Sequence, residues 1–409
     1  MTKVILFNGK VVTHIIASGD KRPLAYNNTT PPPEPIVLPD NTFRFQWETL
    51  IDNPPTDEHF SMAQVDDRTW DYTVLDEYLN SGGLFSGKFN DLNNKVKLIA
   101  VGDISGITNM NAMFSSCSSL ESVSLFDTSR ATDMTMMFGN CTSLTTVPLF
   151  DTGNVTNMPY MFAYCESLTT VPQFNTQNVT AMNGMFVSCS SLTTVPLFDT
   201  RSVTDMNGMF SYCNSLINVP LFDTQNVTEM GHMFDSCTSL TTVPQFNTQN
   251  VTRMDYMFDY CTSLTTVPQF NTQNVTDMST MFKGCKSLTT VPLFDTSNVT
   301  NMFEMFEGCT SLTSVPLFST FSVTVMVNMF YGCTSLTTVP LFDTVNVTAM
   351  GGMFSGCTQV ESGALALYQQ ASATGNVTYY VDTFTNCGID TETGLAELQQ
   401  IPRSWGGVA

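Results

Sequence analysis

The sequence predicts an α/β repeat solenoid, a stack of 24-residue coils with parallel strands and short helical turns, capped at both ends. Three observations predict it. Cys117, Cys141, Cys165, Cys189, Cys213, Cys237, Cys261, Cys285, Cys309, Cys333 and Cys357 follow one another at intervals of 24 residues with no insertion. A strict period of this length marks a solenoid, because one unit cannot bury its own apolar face and must stack on its neighbours. Within each unit Leu-x-x-Val-x-Leu, as in Leu144, Val147 and Leu149, has the spacing of a short strand with side chains alternating inward and outward. Met-x-x-Met-Phe-x-x-Cys places apolar residues three and four apart, as one or two turns of α- or 3₁₀-helix require.

The rest of the unit follows from turn chemistry. Phe-Asp-Thr or Phe-Asn-Thr ends the strand, because Asp and Asn side chains hydrogen-bond nearby backbone. Val-Thr-x-Met then alternates again and predicts a second short strand. The Asp/Asn row (Asp127, Asp151, Asn175, Asp199, Asp223, Asn247, Asn271, Asp295 and Asp343) is read as turn capping. A Ca²⁺ ladder is the less economical reading, because Asn replaces Asp together with an upstream Leu-to-Gln change at Gln173, Gln245 and Gln269.

The unit Asn-Val-Thr-x-Met-x-x-Met-Phe-x-x-Cys-x-Ser-Leu-Thr-Thr-Val resembles the BspA-like leucine-rich repeats, and the resemblance covers residues 96 to 388. It implies a leucine-rich-repeat-like fold and an interaction or adhesion surface without catalysis, of a kind found on bacterial surface proteins and in phage-encoded proteins.

Five segments are expected. Residues 1–26 form an N-terminal β docking segment, with Asn8-Gly9 between apolar runs as the hairpin signal. Residues 27–39 are a proline-rich linker, carrying Pro31-Pro32-Pro33 and Pro35. Residues 40–95 are an N-terminal cap with the aromatics Phe43, Phe45, Trp47, Trp70 and Tyr72 and a helix from Thr73 to Leu79. The solenoid runs over 96–388. In it Ala364–Ala373 is an inserted helix and Phe384 to Cys387 recovers a twelfth copy displaced by six residues. Residues 389–409 are a C-terminal cap, helical from Leu395 to Ile401, with Trp405 over the last coil.

Composition narrows the function. A net charge of −21 disfavours nucleic acid, whose backbone needs clustered Lys and Arg. Charged residues make up only 12% of the chain, so its surface is largely neutral and polar. Stacked cysteines recur at about 5 Å with parallel Cβ vectors, which disfavours disulfides, so they are read as buried free thiols. No CxxC metal site occurs, His14, His59 and His232 are scattered, and no metal or cofactor is expected. The N-terminus is a poor signal peptide and no stretch of 18 apolar residues exists, so membrane insertion is not expected. With free thiols, this points to folding in a cytoplasm.

Asp151-Thr152-Gly153 matches the aspartic-protease triplet but is the repeat's own Phe-Asp-Thr followed by glycine. The sequons at Asn154, Asn178 and Asn226 recur with the turn and are read as structural. No activated nucleophile is visible, and the chain is read as a non-enzyme. The informative positions lie beside the Met-Phe pair, where copies differ: Tyr160, Tyr164, Tyr212, His232, Tyr256, Tyr260, Phe303 and Tyr331. Amphipathic aromatics supply contact area at low entropy cost, so these are the ligand-binding candidates, on the helical side of the coil.

The expected function is recognition or adhesion by a phage virion fibre or decoration subunit, made in the host cytoplasm. It would dock on other virion proteins through its N-terminal segment, bind a bacterial surface glycan or protein, and be able to form homo-oligomers. A bacterial cell-surface BspA-like adhesin and a purely structural virion protein are the alternatives.

Overall fold

The computed structural model describes residues 5–7, 10–12, 37–51, 54–90 and 95–408. The chain divides into two units, Met1–Val37 and Leu38–Ala409. In the first, β1 (Ile5–Phe7) pairs antiparallel with β2 (Lys10–Val12), Phe7 opposite Lys10. The proline-rich stretch expected over 27–39 lies outside the described residues up to position 36.

The second unit begins with β3 (Thr42–Trp47), β4 (Phe60–Asp66) and β5 (Thr69–Val74), followed by β6 (Val96–Val101) and β7 (Leu120–Val123). They form one sheet in the order β4-β5-β3-β6-β7, antiparallel up to β6 and parallel from β6 to β7. The β6–β7 register sets Val96 against Leu120, one repeat apart. The inward faces carry Phe43, Phe45, Trp47 and Tyr72, all buried. Phe43 and Phe45 lie edge-on to Phe85, and Phe85 stacks on Phe114 of the first coil at 5.4 Å. The helix expected from Thr73 to Leu79 is not formed. Thr73 and Val74 belong to β5 and only Asp76–Tyr78 makes a 3₁₀ turn, because alternation with β3 and β4 buries Tyr72 and Val74 on the sheet's apolar face.

From residue 109 onward parallel bridges tie residues 24 apart: Asn109 to Asp133, Asp133 to Asn157, and so on to Val325 and Ala349. The last, Ala349 to Tyr379, spans 30 residues, because helix α1 (Ala364–Thr374) is inserted between these coils. Helix α2 (Glu392–Leu398) follows, its first turn closed by the Thr391 hydroxyl accepting from the Gly394 amide at 3.0 Å. Trp405 is buried and stacks on Tyr380 at 4.5 Å.

Each coil places the same side chains inside. Met158, Met161, Phe162, Cys165 and Leu168 are fully buried, as are their equivalents in neighbouring coils. Phe162 stacks on Phe138 and Phe186 at 5.7 Å each. The twelve cysteines are free and buried. Cys165 Sγ donates to the Phe138 carbonyl at 3.1 Å, and burial pushes its thiol up to about 12. Turn capping by the Asp/Asn row is visible in bonds such as Gly153 N–H to Asp151 Oδ1 at 3.0 Å. The sequon asparagines hold the preceding coil, Asn154 Nδ2 donating to the Ser129 carbonyl at 2.7 Å and Asn178 Nδ2 to Gly153 at 2.8 Å.

Two expectations about the strand of the coil are corrected. The Leu-x-x-Val strand is regular only in β7. Beyond it the segment keeps just the bridges Ser122–Thr146 and Thr338–Ser362. Proline is the cause: the first coil has Ser124, whose amide donates to the Leu98 carbonyl at 2.8 Å, whereas every coil from Pro148 to Pro340 has proline there and lacks that donor. Nor does the third apolar residue of the pattern turn inward. Leu149 is 58% exposed and Leu125, Leu197, Leu221, Leu293, Leu317 and Leu341 are exposed with it.

Candidate binding face

The Met-x-x-Met-Phe-x-x-Cys segment is no helix. Two of its positions carry positive φ in coil after coil, the residue before the second Met and the residue before Cys: Tyr160 (φ 55°) and Tyr164 (φ 60°) in one coil, Tyr256 (φ 57°) and Tyr260 (φ 50°) in another. Left-handed residues break a right-handed helix. Here they turn alternate amides outward along the stack. Met158, Tyr160, Phe162 and Tyr164 donate to the carbonyls of Ala181, Asn183, Met185 and Val187 in the next coil, at 3.2, 3.0, 2.9 and 2.6 Å. The amides between them close tight turns, Ala163 to Tyr160 at 3.0 Å and Cys165 to Phe162 at 3.1 Å. All seven amides from Met158 to Cys165 that can donate are thus satisfied, Pro159 having none.

This geometry changes the meaning of the variable positions. Glycine fills the first left-handed position at Gly184, Gly208 and Gly352 and the second at Gly284, Gly308, Gly332 and Gly356, as a backbone that penalises a Cβ favours. Six of the eight candidate residues stand in the same two places: Tyr160, His232 (φ 56°) and Tyr256 in the first, Tyr164, Tyr212 (φ 60°) and Tyr260 in the second. A left-handed non-glycine residue costs about 1–2 kcal/mol, and residues held in such strain cluster at binding and catalytic sites.

The structure sets these side chains in two columns of the same segment, four residues apart. Tyr160 and Tyr164 share a coil, and so do Tyr256 and Tyr260; Tyr160, Tyr164, Tyr212 and Tyr260 are exposed. The His232 and Tyr256 rings stack at 4.5 Å with 9° between planes. Tyr160 lies over Gly184 and Tyr260 over Gly284, in the space a Cβ there would need, so a glycine in the next coil lets each ring lie flat along the stack. Phe303 and Tyr331 do not share the left-handed geometry. Phe303 is half-buried before Glu304, and Tyr331 is exposed in the position that follows the Met-Phe pair.

That position also carries a charged column which the sequence reading did not single out: Asp235, Asp259, Lys283 and Glu307 in four successive coils. Lys283 Nζ bonds Glu304 at 2.6 Å and Glu307 at 3.4 Å, and His232 Nδ1 lies 3.3 Å from Asp235. Asp259 is buried and its Oδ1 has no hydrogen-bond partner among the described residues. Burial, then the Asp235 carboxylate, push the Asp259 carboxyl up to about 7 against the pull of Lys283 and His232. The signal was available in the 24-residue register, as four ionisable residues in one column of a charge-poor chain. Met136, exposed with φ 56° in the first left-handed position, was also missed.

Among the described residues no group of three or more His, Cys, Asp or Glu could hold a metal ion, and no helix is long and apolar enough to cross a membrane.

No curated protein matches the chain. Among solved structures, it is similar to a leucine-rich repeat protein of T. pallidum, with 21% identity and a TM-score of 0.34, over 50% of this chain and 82% of that one. It is also similar to a leucine-rich repeat protein from Eubacterium ventriosum, with 17% identity and a TM-score of 0.32, over 58% of this chain and 82% of that one. A family model described as "Mycoplasma protein of unknown function, DUF285" matches residues 84–197, 163–266, 193–290 and 263–368, an unbroken stretch over most of the solenoid. With its repeating coils matched over more than half its length, the chain belongs to the DUF285 family.

Proposed function

We propose that this chain is a non-enzymatic recognition protein that binds a bacterial surface glycan or protein through the aromatic ladder. One observation carries the reading: exposed tyrosines occupy left-handed positions that other coils give to glycine. Internal packing gives little reason for Tyr164 or Tyr212, each half exposed to solvent. Contact with something outside the chain does, and a rigid stack of identical coils gathers many weak contacts, which copy number strengthens further.

In the first form of this proposal the chain is a phage virion fibre or decoration subunit, with residues 1–39 docking on other virion proteins. What supports it is the order of the sequence, a hairpin signal and a proline-rich stretch ahead of a long array. A second form, a bacterial cell-surface adhesin, is favoured by the family description, which refers to Mycoplasma proteins. In either form residues 40–95 and 389–409 act as caps. The aromatic packing of Phe85 on Phe114 and of Trp405 on Tyr380 supports that role, since an open solenoid end invites edge pairing.

The test is binding of the fluorescently labelled full chain to intact bacteria, beside a variant with Tyr160, Tyr164, Tyr212, Tyr256 and Tyr260 changed to Gly. Saturable binding lost in the folded variant supports recognition by this face. Absence of binding by the parent, also when displayed on multivalent beads, would move the reading to a purely structural role.

A further inference from the structure

A recess of about 380 Å³ opens on the left-handed face of the first three coils, lined by Ser115, Ser116, Met136, Gly139, Asn140 and Tyr164. We propose that it binds a single neutral sugar ring, stacked on Tyr164. The inference rests on the reading above and names the ligand class for one part of that face.

Gly139 shapes the recess through Met136. This residue follows the Met-Phe pair, where later coils carry Val187, Asp235, Asp259, Lys283, Glu307 or Tyr331; a Cβ there would stand 2.5 Å from Met136 Cγ, so glycine lets the Met136 side chain fold across this position and form the wall of the recess. Its walls are Met136, 40% exposed, and Tyr164, 50% exposed. At the rim Ser116 and Asn140 are also left-handed, at φ 59° and 61°. The Ser116 hydroxyl and the Asn140 amide have no hydrogen-bond partner among the described residues, and each can both donate and accept. The volume falls in the range of small-ligand sites, about 300–1,000 Å³.

The chemistry of this lining selects the ligand. A sugar ring has an apolar face of C–H groups that packs on a tyrosine ring, and an edge of hydroxyls for which an unpaired hydroxyl and amide are the fitting partners. The six residues include no Asp, Glu, Lys, Arg or His to pair with a charged substituent. An acidic sugar would also meet the field of a chain carrying a net charge of −21. A neutral hexose satisfies all three conditions.

The experiment is saturation-transfer NMR on the full chain with the methyl glycosides of glucose, galactose, mannose and N-acetylglucosamine, and glucuronic acid as the charged comparator. At least one neutral glycoside is expected to bind with a millimolar Kd. Tyr164→Gly, which removes the stacking ring, and Gly139→Val, which displaces the Met136 side chain into the recess, are each expected to weaken it about tenfold or more. Both residue types occur at these registers of the fold, glycine at Gly284 for Tyr164 and valine at Val187, beside Gly184, for Gly139. Circular dichroism and melting checked alongside separate lost binding from lost folding. Neutral-sugar binding unchanged in both folded variants, or binding of glucuronic acid alone, overturns the proposal. If the parent binds cells but none of the sugars, this inference falls and the recognition reading stands; if it binds neither, both fall.

Discussion

Two rows of the same coil, a few residues apart, follow opposite rules. The inner row of Met, Phe, Cys and Leu is identical in almost every copy and fully buried. The outer row of left-handed positions repeats its backbone as faithfully but not its side chains, which include Ala112, Met136, Tyr160, Gly184, His232, Thr280, Glu304 and Asn328. In the inner row, stacking makes each residue the packing partner of its own copies, so a change in one coil is felt in two others. In the outer row stacking fixes only φ and ψ. Identity there is released from the core and, where it departs from glycine, works against the backbone.

The sharpest way to break the inner row is Phe234→Ala. Phe234 is fully buried and stacked at 5.7 Å on both Phe210 and Phe258. The substitution is expected to destabilise the chain by about 3–5 kcal/mol in urea denaturation. Because solenoid coils are coupled mainly to their neighbours, the transition should also lose cooperativity near the middle of the stack. A smaller break is Thr248→Val: the Thr248 hydroxyl donates to the Asn271 carbonyl at 2.8 Å, and its loss should cost about 1–2 kcal/mol in the same assay.

The charged column gives the comparison a pH axis. With its carboxyl raised to about 7, Asp259 binds a proton more tightly in the folded chain than in the unfolded one. Its contribution to stability is therefore greatest below the ordinary carboxylate range and is lost as pH rises towards and through 7. Asp127, Asp199 and Asp295 run the other way. Their carboxyls are held below the usual range by side-chain hydrogen bonds from Ser129, Arg201 and Ser297, so their contribution is present near neutrality and lost on acidification below it. Asp259→Asn is expected to raise the melting temperature at pH 8 by a few degrees and to flatten its dependence on pH between 5 and 8, leaving the acid limb in place. Thermal melts across this range check both parts.

How much of this was legible beforehand differs between the rows. The 24-residue period, the inward Phe and Cys columns and the Asp turn caps could be read from the sequence because each is a local or periodic signal. The inserted helix over Ala364–Thr374 was legible because it breaks the period. The left-handed turns were not. Apolar residues three and four apart fit a helix equally well, and only the demand that every second amide reach the next coil decides against it. Likewise Val-Pro was visible throughout, yet its effect on the strand emerges only beside Ser124, the first coil's exception. The candidate aromatics were found by their variability alone; that Tyr164 is strained and Tyr331 is not had no signature in one copy, though glycine at equivalent positions of other coils hinted at it.

The smallest effect is the most diagnostic for the outer row. Tyr212→Gly relieves a left-handed tyrosine at about 1–2 kcal/mol and adds glycine's unfolded-state entropy of about 0.5–1 kcal/mol, so stability should stay level or rise by up to about 1.5 kcal/mol.

Whether these tyrosines are kept for contacts outside the chain is decided by the denaturation midpoint of the variant carrying Tyr160→Gly, Tyr164→Gly, Tyr212→Gly and Tyr260→Gly together. A midpoint equal to or above that of the parent chain is the predicted result. A clearly lower midpoint would mean that the rings hold the solenoid itself together, and would contradict the account.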